Sequence, residues 1–190
     1  MAERERRGGL SDSSAVAAEY SSEGGLAARV RVWTEFLDGP SVVDVAYEAV
    51  AEARPRDVLE VGAGWGDLAV RIRDTVGARV TATDLSSRMT TLLLERELPV
   101  ARVDARRLPF ADDGFDAVLA NAMLYHLPDP AVAAREFARV LRSGGPLVAT
   151  TFGADHLREV WNLVGDVAVQ HSFARAFPTV RQSRPTSLPP

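Results

Sequence analysis

The chain has 190 residues, 46% of them hydrophobic and 25% charged, with a net charge of -4 and no cysteine. That length suits about one domain with a real core, and the absence of thiols excludes disulfides and thiolate metal sites or nucleophiles. All 22 basic residues are arginines, scattered in ones and twos, which argues against a broad nucleic-acid surface.

In chain order, residues 1–24 are polar and rich in Ser, Glu, Gly and Arg, and read as a flexible arm. The start, MAERERRGG, lacks the apolar stretch of a secretory signal, and no apolar run reaches the roughly 18 residues of a membrane span. A cytoplasmic protein without a membrane span is therefore expected. "LAARVRVWTEFL" predicts a helix over Leu26 to Leu37 with Val30, Trp33 and Leu37 on one face, stopped by "DGP". A second helix is predicted from Ser41, as N-cap, to Ala53, with Val42, Val45, Ala46 and Ala49 turned inward.

From Val58 the pattern becomes an alternation of β-like runs and helices: "VLEVG", a helix from Asp67, "RVTATD", a helix from Ser87, "VARVDA", a loop, "DAVLAN", a helix from Pro130, and "PLVATTF". Such alternation implies right-handed βαβ crossovers and a parallel sheet. The expected fold is α/β: a three-layer, doubly wound sandwich on about five strands. The helix from Pro130 is the best marked, with Asp129 to cap it, Val132, Phe137, Val140 and Leu141 as its apolar face, and Gly144 as its stop.

In open sheets of this kind ligands bind beyond the carboxyl ends of the strands. The turn "GAGWG" lies at such an end, as do Asp84, Asp104 and Asn121. Gly62, Gly64 and Gly66 are spaced G-x-G-x-G, whereas a dinucleotide turn wants G-x-G-x-x-G. Asp67 stands where the third dinucleotide glycine would be and is a poor neighbour for a pyrophosphate. Together with Glu60 it suits a ligand with a cationic part, such as S-adenosylmethionine; each acid has the alternative role of capping and solvation. Three glycines in five residues are costly unless the backbone must approach something closely. Asp84 can accept from ribose hydroxyls or cap the next helix. Asp104 can accept an adenine amine while the Ala105 N–H donates to the ring, and Leu85 can pack on the base.

"LEVGAGWGDLA", "TATDLSSRM", "VDARRLPFADDGFDAVLANAMLYHLPDP" and "REFARVLRSGGPLVATTF" resemble, in that order, the motifs of class I S-adenosylmethionine-dependent methyltransferases. They are most similar to the small-molecule group that includes the ubiquinone and menaquinone biosynthesis enzymes, over about Asp57 to Phe152. The resemblance implies a Rossmann-like domain over 25–173, with its core at 57–152, that moves a methyl group from S-adenosylmethionine to an oxygen or carbon of a small-molecule acceptor. It implies that Gly62, Ala63, Gly64 and Gly66 form the turn under the methionine part, with Glu60 near its amino end. Asp84 would then take the ribose, Leu85, Asp104 and Ala105 the adenine, and Asn121 the space beside the methyl group.

Methyl transfer is an in-line displacement that proximity and alignment can accelerate without a catalytic residue. If a base acts, His126 in "LYHLPD" is the candidate, because imidazole titrates near neutrality; otherwise Tyr125 and His126 shape the pocket. His156 and His171 lack metal-ligand spacing, and no metal is expected. The Asn/Asp-Pro-Pro-Tyr motif of amino methyltransferases is replaced by "NAML". After Phe152 the family's final antiparallel strands are not recognisable: helices are expected, Val167 to Val169 makes at most one strand, and 174–190 reads as a disordered tail. The alternatives are a non-catalytic or shortened S-adenosylmethionine-binding protein and, with less support, an NAD-dependent oxidoreductase.

Overall fold

The computed structural model describes residues 40–151. The expectations for the 1–24 arm, for the Leu26 to Leu37 helix with Trp33, and for everything after Thr151 lie outside these residues. These include the C-terminal helices with His156 and His171, the Val167 to Val169 strand, the absent final strands and the 174–190 tail.

The elements run α1 (Val42–Ala53), β1 (Asp57–Val61), α2 (Asp67–Val76), β2 (Arg79–Asp84), α3 (Ser87–Glu95), β3 (Val100–Arg102), β4 (Ala117–Asn121), a short 3-10 turn (Leu124–His126), α4 (Pro130–Val140) and β5 (Leu147–Thr150). The sheet has the order β3-β2-β1-β4-β5, and all four strand pairs are parallel. The five-stranded parallel sheet matches the expectation. Strand order reverses between β1 and β4, and the loops that leave those two strands flank the switch point.

The central strands are buried on both faces, which is why they read as apolar runs rather than alternations. Val58, Val80, Ala82, Ala117 and Leu119 form one core with Ala46 and Val50 of α1 and with Leu68, Ala69 and Ile72 of α2. Alternation along the strands turns Leu59, Val61, Val118 and Ala120 the opposite way, and all four are buried. The β1-to-β2 and β4-to-β5 crossovers run in opposite directions along the sheet. With right-handed connections, α4 therefore covers the face away from α2.

Capping is as the sequence suggests for α1 and α4. The Ser41 hydroxyl accepts from the Asp44 N–H at 3.1 Å, the Asp44 carboxylate accepts from the Ser41 N–H, and Asp129 accepts from the Ala131 N–H at 3.0 Å. Three details differ. On α1 the buried residues are Ala46 and Val50, while Val42 and Val45 are 39% and 50% exposed and Ala49 is exposed too. Apolar residues fill the whole arc outside the stripe of Asp44, Glu48 and Glu52, so the choice of Val42, Val45 and Ala49 within it missed the rotation that buries Val50. On α4 the buried set is Pro130, Ala133, Phe137 and Val140, with Val132 and Leu141 only half-buried. The helix ends on an extended Leu141, and Gly144, at φ 83°, serves the following turn rather than the cap. Finally, β3 closes at Arg102, because Asp104 enters a local bridge with Arg107.

Candidate functional site

The turn from Gly62 to Gly66 leaves β1 and delivers the chain into α2. Its glycines are needed for packing inside the protein as well as for any ligand. A Cβ on Gly62, at φ +72°, would sit 2.9 Å from the Cβ of Met123, and one on Gly66, at φ +80°, would sit 2.5 Å from Cδ2 of Leu93. The close approach that the sequence assigned to a ligand is thus made, at these two positions, by side chains of the β4 loop and α3. The turn is tied further by the Ala63 N–H to the Thr83 carbonyl and the Gly66 N–H to the Ala63 carbonyl, both at 2.9 Å.

Asp84 anchors the turn from the next strand. Its Oδ2 accepts from the Gly64 N–H at 3.0 Å and its Oδ1 from the Ser86 N–H at 2.8 Å. Helix α3 is capped by Ser86, whose hydroxyl accepts from the Met89 N–H, so the capping role considered for Asp84 belongs to Ser86. An ionised carboxylate has about four lone-pair positions. With these N–H groups and that of Leu85 beside it, Asp84 keeps acceptor capacity for a hydroxyl. Desolvation pushes its pKa up, opposed by the N–H groups of Ser86, Gly64 and Leu85. Leu85 beside it is 38% exposed.

Glu60 is not solvated: it is 2% exposed, and its Oε2 is buried without a hydrogen-bond partner. Burial, and then the negative charge of Asp67, push its pKa up to about 8, partly opposed by the Ala69 N–H. A second buried atom, the indole nitrogen of Trp65 in the turn itself, also lacks a partner. Asp67 does not cap α2. The N-cap is Gly66, with no side-chain bond, and Asp67 pairs with Arg96 at 2.7 Å while 60% exposed. Its first-turn position still favours the helix dipole.

Beyond β3, Asp104 stands two residues past Arg102, the register partner of Asp84. The Arg102 Nε donates to the Leu85 carbonyl and the Val103 N–H to the Asp84 carbonyl, which fastens this end to β2. The Asp104 carboxylate is not open: it is gripped by the Arg106 side chain, with Nη2 to Oδ2 at 2.6 Å. That guanidinium holds Asp104 below the ordinary carboxylate range. Ala105 is buried. A groove of about 550 Å³ opens beside Asp104, lined by Arg102, Leu108, Phe110 and Arg139 among others; it lies on the β3 side and does not extend over the glycine turn.

At the end of β4, Asn121 is coupled to β5. The Thr150 hydroxyl accepts from the Ala122 N–H at 2.8 Å and donates to the Asn121 Oδ1 at 2.5 Å. Ala122 is left-handed at φ 51°, a strained state for a residue with a Cβ, of the kind that collects at functional sites. His126 closes the following 3-10 turn, with its ring centroid 4.3 Å from that of Tyr125.

The sequence-derived residues Glu60, Gly62, Ala63, Gly64, Gly66, Asp84, Leu85, Asp104, Ala105 and Asn121 thus occupy strand ends and turns on one rim of the sheet. Sequence reasoning missed Met123, Thr150 and Arg106. Thr150 is visible only once β5 is known to pair with β4, Asn121 to Thr150. For Met123 no sequence signal exists. Among the described residues no group of three or more His, Cys, Asp or Glu could hold a metal, and no helix is long and apolar enough to cross a membrane.

Residues 59–149 match the family model of a methyltransferase domain. The chain is 42% identical over 95 residues to a demethylmenaquinone methyltransferase of Mycolicibacterium paratuberculosis, covering 50% of this chain and 41% of that protein. It is 35% identical over 134 residues to the ubiquinone/menaquinone biosynthesis C-methyltransferase UbiE of Laribacter hongkongensis, covering 66% of this chain and 53% of that one. The chain therefore spans about half the length of these relatives. Among solved structures it resembles the [4+2]-cyclase SpnF, with 26% identity and a TM-score of 0.59 over 70% of this chain and 58% of that one.

Proposed function

We propose that the protein is a class I S-adenosylmethionine-dependent methyltransferase that moves a methyl group from S-adenosylmethionine to an oxygen or carbon of a small-molecule acceptor, a reading supported by the match of residues 59–149 to the methyltransferase-domain model and by the likeness to the two relatives. One observation carries the reading: directly before the glycine turn, Glu60 offers a buried carboxylate oxygen with no partner. A buried acceptor left unsatisfied costs on the order of 1–3 kcal/mol. A cationic ammonium is the ligand group that would repay it.

The rest of the donor set fits the same molecule. Asp84 keeps acceptor capacity for a ribose hydroxyl while its other lone pairs hold backbone N–H groups of Gly64, Ser86 and Leu85. Leu85 offers exposed apolar surface to a flat base. Asp104 and Ala105 stand next along the rim for the base edge, and Asn121 marks the side towards the methyl group. When bound, the cofactor supplies an electrophilic methyl group on a sulfonium. The chain's own contribution is to align the reactants and exclude water, with His126 as the group that would take a proton from the acceptor.

The acceptor is a small molecule rather than a nucleic acid, and the site of action is the cytoplasm. The names of the two relatives suggest a quinol-like ring as the first acceptor to try. Calorimetry on the full chain with S-adenosylmethionine, S-adenosylhomocysteine and NADH tests the proposal. Micromolar binding of the first two and none of NADH is expected, and binding of NADH alone would overturn it. Release of S-adenosylhomocysteine with a panel of phenols, quinols and carboxylic acids then tests transfer; binding without any transfer would point to a non-catalytic role.

A further inference from the structure

Asp104 is the acid proposed for the exocyclic amine of adenine, yet three N–H donors of its own loop already hold its carboxylate. Its Oδ1 accepts from the Arg106 backbone N–H at 2.9 Å and from Nε at 3.0 Å, and its Oδ2 accepts from Nε at 3.1 Å and from Nη2 at 2.6 Å. These contacts come from three N–H donors, the Nε proton being shared by the two oxygens, and they take most of the roughly four lone-pair positions of a carboxylate. An incoming amine meets a carboxylate already neutralised and largely occupied by Arg106. We infer that Arg106 is a specificity residue of the adenine end: its guanidinium competes with the base for Asp104, and Arg106 thereby sets both affinity and base preference. The inference rests on the proposed cofactor reading.

The pair is placed to open. Its side chains are 40% and 34% exposed, so a ligand can reach Asp104 and the guanidinium can swing into water without burying a charge. The backbone need not move. The turn is closed independently by the Arg107 N–H on the Asp104 carbonyl at 2.9 Å, and the Arg106 N–H can keep its bond to Oδ1 while the side chain leaves. Arg102, the nearest basic residue in β3, is held on the Leu85 carbonyl and does not compete for the same acid.

The two states read different bases. A free Asp104 accepts from the 6-amino group of adenine and repels the 6-oxo group of hypoxanthine. With Arg106 in place the same edge presents donors, which suit the oxo group. Arg106 therefore weakens binding of the adenine form and narrows the margin against the oxo form, which is the opposite of what a merely structural arginine would do.

Calorimetry with S-adenosylhomocysteine and S-inosylhomocysteine on the full chain, on R106A and on R106Q tests this. R106A should bind S-adenosylhomocysteine roughly two- to fivefold more tightly, the ordinary strength of a half-exposed ion pair, and S-inosylhomocysteine more weakly. R106Q, which keeps donors without the charge, should fall between. Raising NaCl from 50 to 500 mM should tighten S-adenosylhomocysteine binding by the wild type, because screening loosens the pair, and should leave R106A unchanged. The salt experiment on the wild type needs no variant and stands even if R106A folds poorly. If the wild type binds S-adenosylhomocysteine while R106A binds it equally or less well, or wild-type affinity falls with salt, the role of Arg106 is overturned and the cofactor reading survives. If no form binds S-adenosylhomocysteine, both fall.

Discussion

The carboxylate of Asp84, at the end of β2, holds the backbone N–H of Gly64 at 3.0 Å and so fixes the middle of the glycine turn from the neighbouring strand. The same side chain holds the Ser86 N–H at the start of α3. That is a structural duty, and substitutions should separate it from the proposed binding of ribose. Asp84→Ala leaves two N–H groups without an acceptor and should destabilise the fold by about 1–3 kcal/mol in urea unfolding, with S-adenosylhomocysteine binding lost. Asp84→Asn keeps one acceptor oxygen, should unfold closer to the wild type, and should still bind at least tenfold more weakly. Full affinity in Asp84→Asn would show that the ribose lies elsewhere.

Glu60 makes stability and binding depend on pH. Its folded pKa, about 8, lies above its ordinary value of 4.5. The folded state therefore binds the proton more tightly than the unfolded one. The stability it contributes is fully present below pH 4.5 and is lost as pH rises to about 8, by roughly 1.4 kcal/mol per pH unit at most. Glu60→Gln should remove that downward slope. Because an ammonium favours the carboxylate, binding of S-adenosylhomocysteine at pH 6.5 should release close to one proton, seen as a buffer-dependent heat, and affinity should rise from pH 6 to 7.5. A Glu60→Gln variant with the same proton release and the same slope would remove Glu60 from the site.

Two backbone positions invite opposite substitutions. Gly66→Ala puts a Cβ 2.5 Å from Leu93 at a left-handed φ of +80° and should cost about 2–3 kcal/mol, combining the backbone strain with the overlap. Ala122 already carries a Cβ at φ 51°, so Ala122→Gly relieves strain of about 1–2 kcal/mol against a loss of chain entropy of about 0.5–1 kcal/mol. The glycine variant should match or exceed the wild type in thermal unfolding; a fall of several degrees would mean that the Ala122 side chain does more than tolerate its place.

The sheet was legible because its signals are local. The strands β1, β2 and β4 are short runs that stop at Gly62, Asp84 and Asn121, and each described helix after β1 opens on a residue that the sequence marks. What the sequence left open were rotations and partners. In α1 the acids Asp44, Glu48 and Glu52 mark one polar stripe, and the remaining apolar arc is wide enough that packing against α2 and the sheet decided that Ala46 and Val50 face inward. Glu60 shows the same limit in chemistry: an acid before a glycine turn can be solvated or buried, and only the sheet, with Ala82 beside it in register, buries it.

The site was legible as a set of positions and not as a set of contacts. Asp84 and Asn121 close their strands as predicted and Asp104 lies two residues past β3, but their hydrogen bonds are made with Gly64, Thr150 and Arg106. The first two of these partners come from other strands or their loops. The partner of Asp104 is local and escaped notice because arginines are common in this chain. The glycines carried a double message, since Met123 and Leu93 demand two of them without any ligand.

His126 is the residue on which proton transfer would rest, in the turn just past Asn121 and in tilted contact with the Tyr125 ring at 4.3 Å. His126→Gln preserves polarity and removes the titrating group. As a base its loss should lower turnover about 10²-fold or more, erase the acid limb of the pH-rate profile, and leave S-adenosylhomocysteine affinity within twofold. A drop below tenfold with an unchanged profile would reduce His126 to a wall of the pocket.

The polarity of the hydrogen bonds around Thr150 bears on which acceptors the rim can hold. The hydroxyl accepts from the Ala122 N–H, and its own proton goes to the Asn121 Oδ1. That orients the amide, because its oxygen is taken by Thr150 and its nitrogen remains as a donor. A donor at this point suits a phenolate, enolate or carboxylate and offers nothing to an amine, which needs an acceptor there. In methyl transfer from S-adenosylmethionine to matched pairs such as 1-naphthol and 1-naphthylamine, the oxygen nucleophile should react at least tenfold faster. Thr150→Val removes the group that orients the amide, costs about 1 kcal/mol of stability as the part-buried bonds go, and should narrow the preference. Equal rates for both members of the pair in the wild type would mean that Asn121 does not face the acceptor.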